Sequence, residues 1–168
     1  RCVVGRAHET DGGVGRAGHP AGPDGPAFKH VVARLVEATK ALVIGDPTSP
    51  GTDVGPVIDD EAGAKIRGFV ERGKASGLTC HQLPLPQDHA FVRANAGRFV
   101  PPTIFVNVPA DHELARQEIF GPVLAVIHAP TFEDALRIAN DSPYKLTGGV
   151  FSRMPSHIES AKRNFRVG

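Results

Sequence analysis

The chain has only two cysteines among its 168 residues, Cys2 and Cys80. Two are too few for a disulfide scaffold, and no second pair exists to build a zinc knuckle. The eight histidines are dispersed, with none at the i, i+4 spacing of a helical metal site. Cys80 and His81 are neighbours in a short alternating stretch, which sends their side chains to opposite faces of a strand. Metal binding is therefore not expected. Charge of one sign is also missing: the net charge is +1 with 22% charged residues, and the Lys and Arg are scattered. That gives no electrostatic footprint for nucleic acid or an acidic membrane. Nowhere do 18 apolar residues follow one another, and no apolar run of signal length stands near Arg1, so a cytoplasmic chain is the default expectation. The length suits one domain with a sizeable core.

Apolar periodicity is missing from residues 1–26, where Gly and Pro dominate from Gly12 to Pro26. This composition predicts loop or disorder. Gly13-Val14-Gly15-Arg16-Ala17-Gly18 is formally a G-x-G-x-x-G, but His19-Pro20-Ala21-Gly22-Pro23 follows it. Two prolines within four residues cannot open the helix that a phosphate-binding loop needs, so the match is read as chance.

From Phe28 the pattern becomes helical, with Phe28, Val31, Val32, Leu35, Val36 and Leu42 on one stripe that ends before Gly45-Asp46-Pro47. Asp59 or Asp60 can cap a second helix carrying Ala62, Ile66, Phe69 and Val70, and Gly77 ends it. Leu78 to Leu83 reads as a short strand, 84–97 as polar loop, and Phe99 to Val108 as a strand at an edge or beginning after Pro101-Pro102. Asp111 can cap a short helix through Gln117. Val123 to His128 reads as a strand, followed by a helix with Thr131 as N-cap, Asp134 completing a capping box, and Phe132, Ala135, Leu136 and Ala139 buried. Gly148 to Ser152 reads as a strand, and Pro155 opens a last helix with Ile158, Ala161 and Phe165 inward. Helices alternating with short strands predict an α/β unit over 27–168, with mostly parallel pairing where helices cross over.

The stretch that organises the chain is Glu118-Ile119-Phe120-Gly121-Pro122-Val123. Gly-Pro must stop the preceding helical turn, leaving a carboxylate and a phenyl ring at a helix-to-strand corner. Open α/β sheets bind ligands at such corners when they lie at the carboxyl edge. The residue types allow two readings. Glu118 can be a solvated surface acid above Phe120 as a core plug. Alternatively, it is a bidentate acceptor for a vicinal diol such as a ribose, with Phe120 as a flat wall for a ring.

Gln117 to Leu124 resembles the Glu-x-Phe-Gly-Pro signature of the aldehyde dehydrogenase superfamily. Gly45-Asp46-Pro47, Asp53-Val54-Gly55-Pro56-Val57-Ile58, Phe99-Val100-Pro101-Pro102-Thr103-Ile104-Phe105 and Ala139 to Ser152 resemble further family segments in the expected order. The resemblance covers 27–168 and implies a fragment of the family's catalytic domain. It assigns Glu118 to the nicotinamide ribose of NAD and Phe120 to the ribose and nicotinamide. The phrases Ala139 to Tyr144, Leu146 to Arg153 and Phe165 to Gly168 look most like Δ1-pyrroline-5-carboxylate dehydrogenases, which oxidise glutamate γ-semialdehyde to glutamate in proline breakdown.

The same resemblance marks what is not matched. The general base, the oxyanion Asn and the Rossmann domain lie upstream in the family, and the substrate-carboxylate loop and oligomerisation strand of the homo-oligomer lie beyond Gly168. The nucleophilic Cys precedes Gly-Asp-Pro by roughly 30 residues in the family, in a Gly-Gln-x-Cys setting. Here that register falls near Gly15, so no catalytic residue is assigned, and neither Cys2 nor Cys80 has the setting. The loss of resemblance before residue 27 suggests a shifted reading frame or a fused fragment. The expectation is an NAD-dependent aldehyde oxidation by family, inactive in this chain alone; the alternative is a non-catalytic remnant or interaction module that keeps half of the domain.

Overall fold

The structure, a computed structural model, describes residues 2–7, 12–16 and 26–166, with side chains from residue 28 onward. In chain order the elements are β1 (Cys2–Ala7), β2 (Gly12–Arg16), α1 (Pro26–Lys40), α2 (Asp60–Ala75), β3 (Thr79–Gln82), α3 (Ala90–Ala94), β4 (Thr103–Val106), α4 (Glu113–Arg116), β5 (Val123–Ala129), α5 (Phe132–Asn140), β6 (Gly148–Phe151) and α6 (Pro155–Asn164). The strands form one sheet in the order β3-β4-β5-β1-β2-β6.

Strand β5 is central because its sequence allows burial on both faces. Val123, Ala125, Ile127 and Ala129 join the larger core with residues of α2, α4, α5 and α6. Val126 and, in part, Leu124 face α1 with Phe28, Val32, Ile104 and Val106. His128 lies on that side too, edge-on to Phe28 at 5.5 Å between ring centroids. This is the period of two expected for side chains leaving opposite faces of a strand. A third cluster of Ile44, Val92 and Phe99 holds the 44–54 segment and α3 against the main body.

Within the sheet β4–β5 and β2–β6 pair in parallel, and the pairs β1–β2, β1–β5 and β3–β4 are antiparallel. The expectation of mostly parallel strands is thus corrected to a mixed sheet. A connection between parallel neighbours must cross over, as α4 and its flanking turns do between β4 and β5. The expectation of disorder over 1–26 is corrected for 2–7 and 12–16, which are strands. Backbone pairing with β1 on one side and β6 on the other can hold the Gly-rich β2, which shows no side-chain period. Pro26 opens α1; the rest of that expectation, and Gly18 of the G-x-G-x-x-G, lie outside the described residues, and Gly13 and Gly15 lie within β2.

Helix caps follow the sequence closely in two places. Asp59 accepts from Ala62 N at 2.7 Å to start α2, and Thr131 Oγ1 accepts from Asp134 N at 3.0 Å to start α5. Asp134 takes the Thr131 hydroxyl at 2.8 Å, and this bond holds its carboxyl below the usual range. Thr131→Ala should therefore cost about 1 kcal/mol, the usual loss on deleting such a cap, read as a lower urea midpoint with unchanged slope. An unchanged midpoint would show that α5 is fixed by its packing alone.

Candidate functional site

The Glu118–Val123 corner is positioned by α4, a single turn whose four residues could not persist alone. Its N-cap is His112, not the expected Asp111: His112 Nδ1 accepts from Leu114 N at 3.1 Å. The turn is fixed from both sides. Arg72 of α2 donates two hydrogen bonds to Glu113, at 2.9 and 3.0 Å, and its guanidinium lies 4.6 Å over the Phe69 ring. The Arg72 hydrogen bonds hold the Glu113 carboxyl below its ordinary range. Arg116 donates to Asp141, the C-cap of α5, at 2.7 Å. Leu114 and Ala115 are buried beneath.

Beyond α4 the chain alternates between solvent and core. Gln117 and Glu118 are exposed, Ile119 is fully buried, and Phe120 is 71% exposed. Phe120 adopts φ +63°, the left-handed region that L-residues with bulky side chains rarely enter. Gly121 then packs on α2, where an added methyl would lie 2.6 Å from Ile66 Cδ1. Pro122 O accepts from Thr103 N at 2.9 Å, which welds the corner to β4. The Glu118 carboxylate has no hydrogen-bond or ion-pair partner among the described residues.

Two points that the sequence left open are decided here. Phe120 is not a core plug; Ile119 fills that place. The corner also lies at the amino edge of the parallel pair β4–β5, since Thr103 pairs with Val123, and so is not at the carboxyl edge that generally binds ligands in open α/β sheets. The carboxyl end of the antiparallel β1 shares this edge, with Ala7 opposite Leu124. So does the segment entering β6, where Tyr144 and Leu146 are exposed. The sequence reading passed over those two, although apolar residues flanking Lys145 in a turn-rich stretch were the available signal. A groove of about 410 Å³, walled by Phe28, Val32, Val36, His81, Val106 and Asn107, opens between α1 and the far end of β4, away from the corner.

Neither cysteine position adjoins Glu118 and Phe120 along the chain's strands. Cys2 pairs in register with Ala129, at the opposite end of β5 from Val123, roughly 20 Å along the strand at about 3.3 Å per residue. Cys80 sits half-buried in β3 against the larger core, and burial pushes its thiol up. Among the described residues no group of three His, Cys, Asp or Glu could hold a metal ion, and no helix is long and apolar enough to cross a membrane.

The outward conformation of Phe120 has a measurable cost. A left-handed backbone costs a non-glycine residue about 1–2 kcal/mol, partly offset in a Gly variant by the larger entropy of the unfolded chain, about 0.5–1 kcal/mol. Phe120→Gly should therefore raise the melting temperature by a few degrees, since the exposed ring contributes little burial. A fall on thermal denaturation would show that the ring packs after all.

A family profile described as "Aldehyde dehydrogenase family" matches residues 25–168. The chain belongs to the aldehyde dehydrogenase family. Among curated aldehyde dehydrogenase relatives, the 1-pyrroline-5-carboxylate dehydrogenase of Geobacillus kaustophilus is 40% identical over 141 residues, 84% of this chain and 26% of the relative. The 1-pyrroline-5-carboxylate dehydrogenase 2 of Halalkalibacterium halodurans is 41% identical over 138 residues, 82% of this chain and 25% of the relative. Among solved structures, proline utilization A from Bdellovibrio bacteriovorus superposes with TM-score 0.76 at 40% identity, covering 86% of this chain and 14% of that one. A Thermus 1-pyrroline-5-carboxylate dehydrogenase with bound NAD superposes with TM-score 0.70 at 38% identity, covering 84% and 26%. This aldehyde dehydrogenase chain thus spans about a quarter of the length of the curated relatives it matches, and its fold is that of part of the family's catalytic domain.

Proposed function

We propose that this chain is the nicotinamide-ribose-contacting part of an NAD-dependent dehydrogenase that oxidises glutamate γ-semialdehyde to glutamate, in a cytoplasmic setting. The observation that carries the reading is the pairing, two residues apart, of an outward carboxylate with no partner among the described residues and an aromatic ring held out of the core. An ionised carboxylate has two oxygens and no donor, so it suits the two donating hydroxyls of a vicinal diol. The ring offers a flat apolar wall beside it. When bound, NAD supplies the hydride acceptor. Glu118 fixes the ribose and Phe120 limits where the attached ring can lie. The relatives named 1-pyrroline-5-carboxylate dehydrogenase support the choice of aldehyde.

Aldehyde oxidation also needs a thiolate nucleophile, donors for the oxyanion and a base to activate water. None of these is assigned within residues 27–168, so the reading places them in other parts of a complete enzyme. Replacing the corresponding glutamate of a complete relative with Gln should raise the KM for NAD by roughly ten- to a hundredfold, the equivalent of about 1.5–3 kcal/mol for a charge-assisted bond. Unchanged NAD kinetics in that variant would reject the role of Glu118.

A further inference from the structure

We infer that Gly121 and Ile66 are positioning residues that lock Phe120 into its left-handed conformation and so set the direction of its ring. Ile119 is fully buried and Gly121 lies against the side chain of Ile66, so both face inward and the residue between them must leave the core. The approach of Gly121 to α2 leaves no room for a side chain: an added methyl would meet Ile66 Cδ1 at 2.6 Å and Cγ1 and Cγ2 at 3.0 Å. Downstream, the proline ring restricts φ at Pro122, Pro122 O is bonded to Thr103 N, and Val123 N donates to Gly121 O at 2.7 Å. The corner is therefore held at Ile119 and again at Gly121–Val123. A strained backbone of this kind persists only where its surroundings over-determine it.

Ile66 is itself immobilised. It is 1% exposed in the middle of α2, a helix capped by Asp59 and tied to α4 through Arg72 and Glu113. A residue more than fifty positions upstream thereby decides where the Phe120 ring points. Such a platform exists before any ligand arrives, so binding does not have to order it. The use of the platform rests on the NAD reading above, whereas its geometry does not.

The test is nuclear magnetic resonance on the full labelled chain, reading the intraresidue amide-to-Hα Overhauser effect of Phe120, which is several-fold stronger at positive φ. The native chain should show the strong signal, and its absence would overturn the proposal. Gly121→Ala should abolish it, and Ile66→Ala, by removing Cδ1, Cγ1 and Cγ2 together, should restore it in the double variant. A strong signal that survives Gly121→Ala alone, or a folded double variant without one, would overturn the lock; a general loss of stability would not reproduce that pattern. Should Gly121→Ala fail to fold, Phe120→Gly decides: a raised melting temperature supports a residue held against its preference, and a lowered one contradicts it. If the signals behave as stated while the glutamate variant of a complete relative keeps its NAD kinetics, the NAD reading fails and the lock stands.

Discussion

In an NADH-forming assay with glutamate γ-semialdehyde, the 168-residue chain alone is expected to give no turnover above the blank. Catalysis requires the nucleophile, base, oxyanion donors and cofactor to be held together around one transition state, and losing several parts of such a unit leaves little rate. Here only the corner proposed to contact the ribose is assigned. One charge-assisted contact of about 1.5–3 kcal/mol does not meet an association cost of 4 kcal/mol or more, so NAD should not bind detectably to the isolated chain. The thiols cannot substitute. Cys2 stands at the far end of β5 from Glu118 and Phe120, and burial raises the Cys80 thiol, which lowers its thiolate fraction. Turnover above the blank that Cys2→Ala abolishes would restore Cys2 as a nucleophile and overturn this account.

Phe105→Ala is expected to have the largest effect on stability. Phe105 is fully buried in β4, and its ring lies against α2 at Gly73, where an added methyl would meet Phe105 Cζ at 2.8 Å and Cε1 at 2.9 Å. The backbone of α2 comes close because Gly73 has no side chain, and Gly73 itself offers nothing to fill the vacated volume. Deleting such a ring costs about 3–5 kcal/mol, a large part of the 5–15 kcal/mol that typically separates folded from unfolded chains. Urea titration should show a much lower midpoint, or a chain already unfolded in buffer. A loss below about 1 kcal/mol would mean that α2 and β4 are not packed as described.

Long periodic segments were legible in the sequence because burial imposes its period on them. The stripes of α1, α2 and α5 follow this rule, as do the caps Asp59 and Thr131. Where the sequence misled, the period had already ended. Leu42 continues the α1 spacing, yet α1 stops at Lys40, the chain tightens through Ala41 N to Ala38 O and Leu42 N to Thr39 O, and Leu42 turns outward. Ile158 lies on the outer margin of α6 and is 41% exposed, while Ala161 is buried. The five residues of α3 are too few to show a period, so 84–97 read as loop. Strands β1 and β2 were hidden because backbone pairing defines them.

The corner was legible in residue type but not in shape. Gly-Pro marks a break, and the natural inference puts the unusual backbone at the glycine. It falls one residue earlier, at Phe120, because Gly121 is occupied in packing against Ile66. That contact joins positions far apart in the chain, and no local pattern encodes it. Glu118 and Phe120 both leave the core, whereas residue preferences alone favoured Phe120 inside.

The measurement that bears most directly on the central reading is a chimera: residues 25–168 of this chain placed in a complete 1-pyrroline-5-carboxylate dehydrogenase in place of its matching segment. The account predicts that the chimera reduces NAD with glutamate γ-semialdehyde, and that Glu118→Gln within it raises the KM for NAD by roughly ten- to a hundredfold with the melting temperature unchanged. A folded, active chimera whose NAD kinetics ignore Glu118→Gln would contradict it.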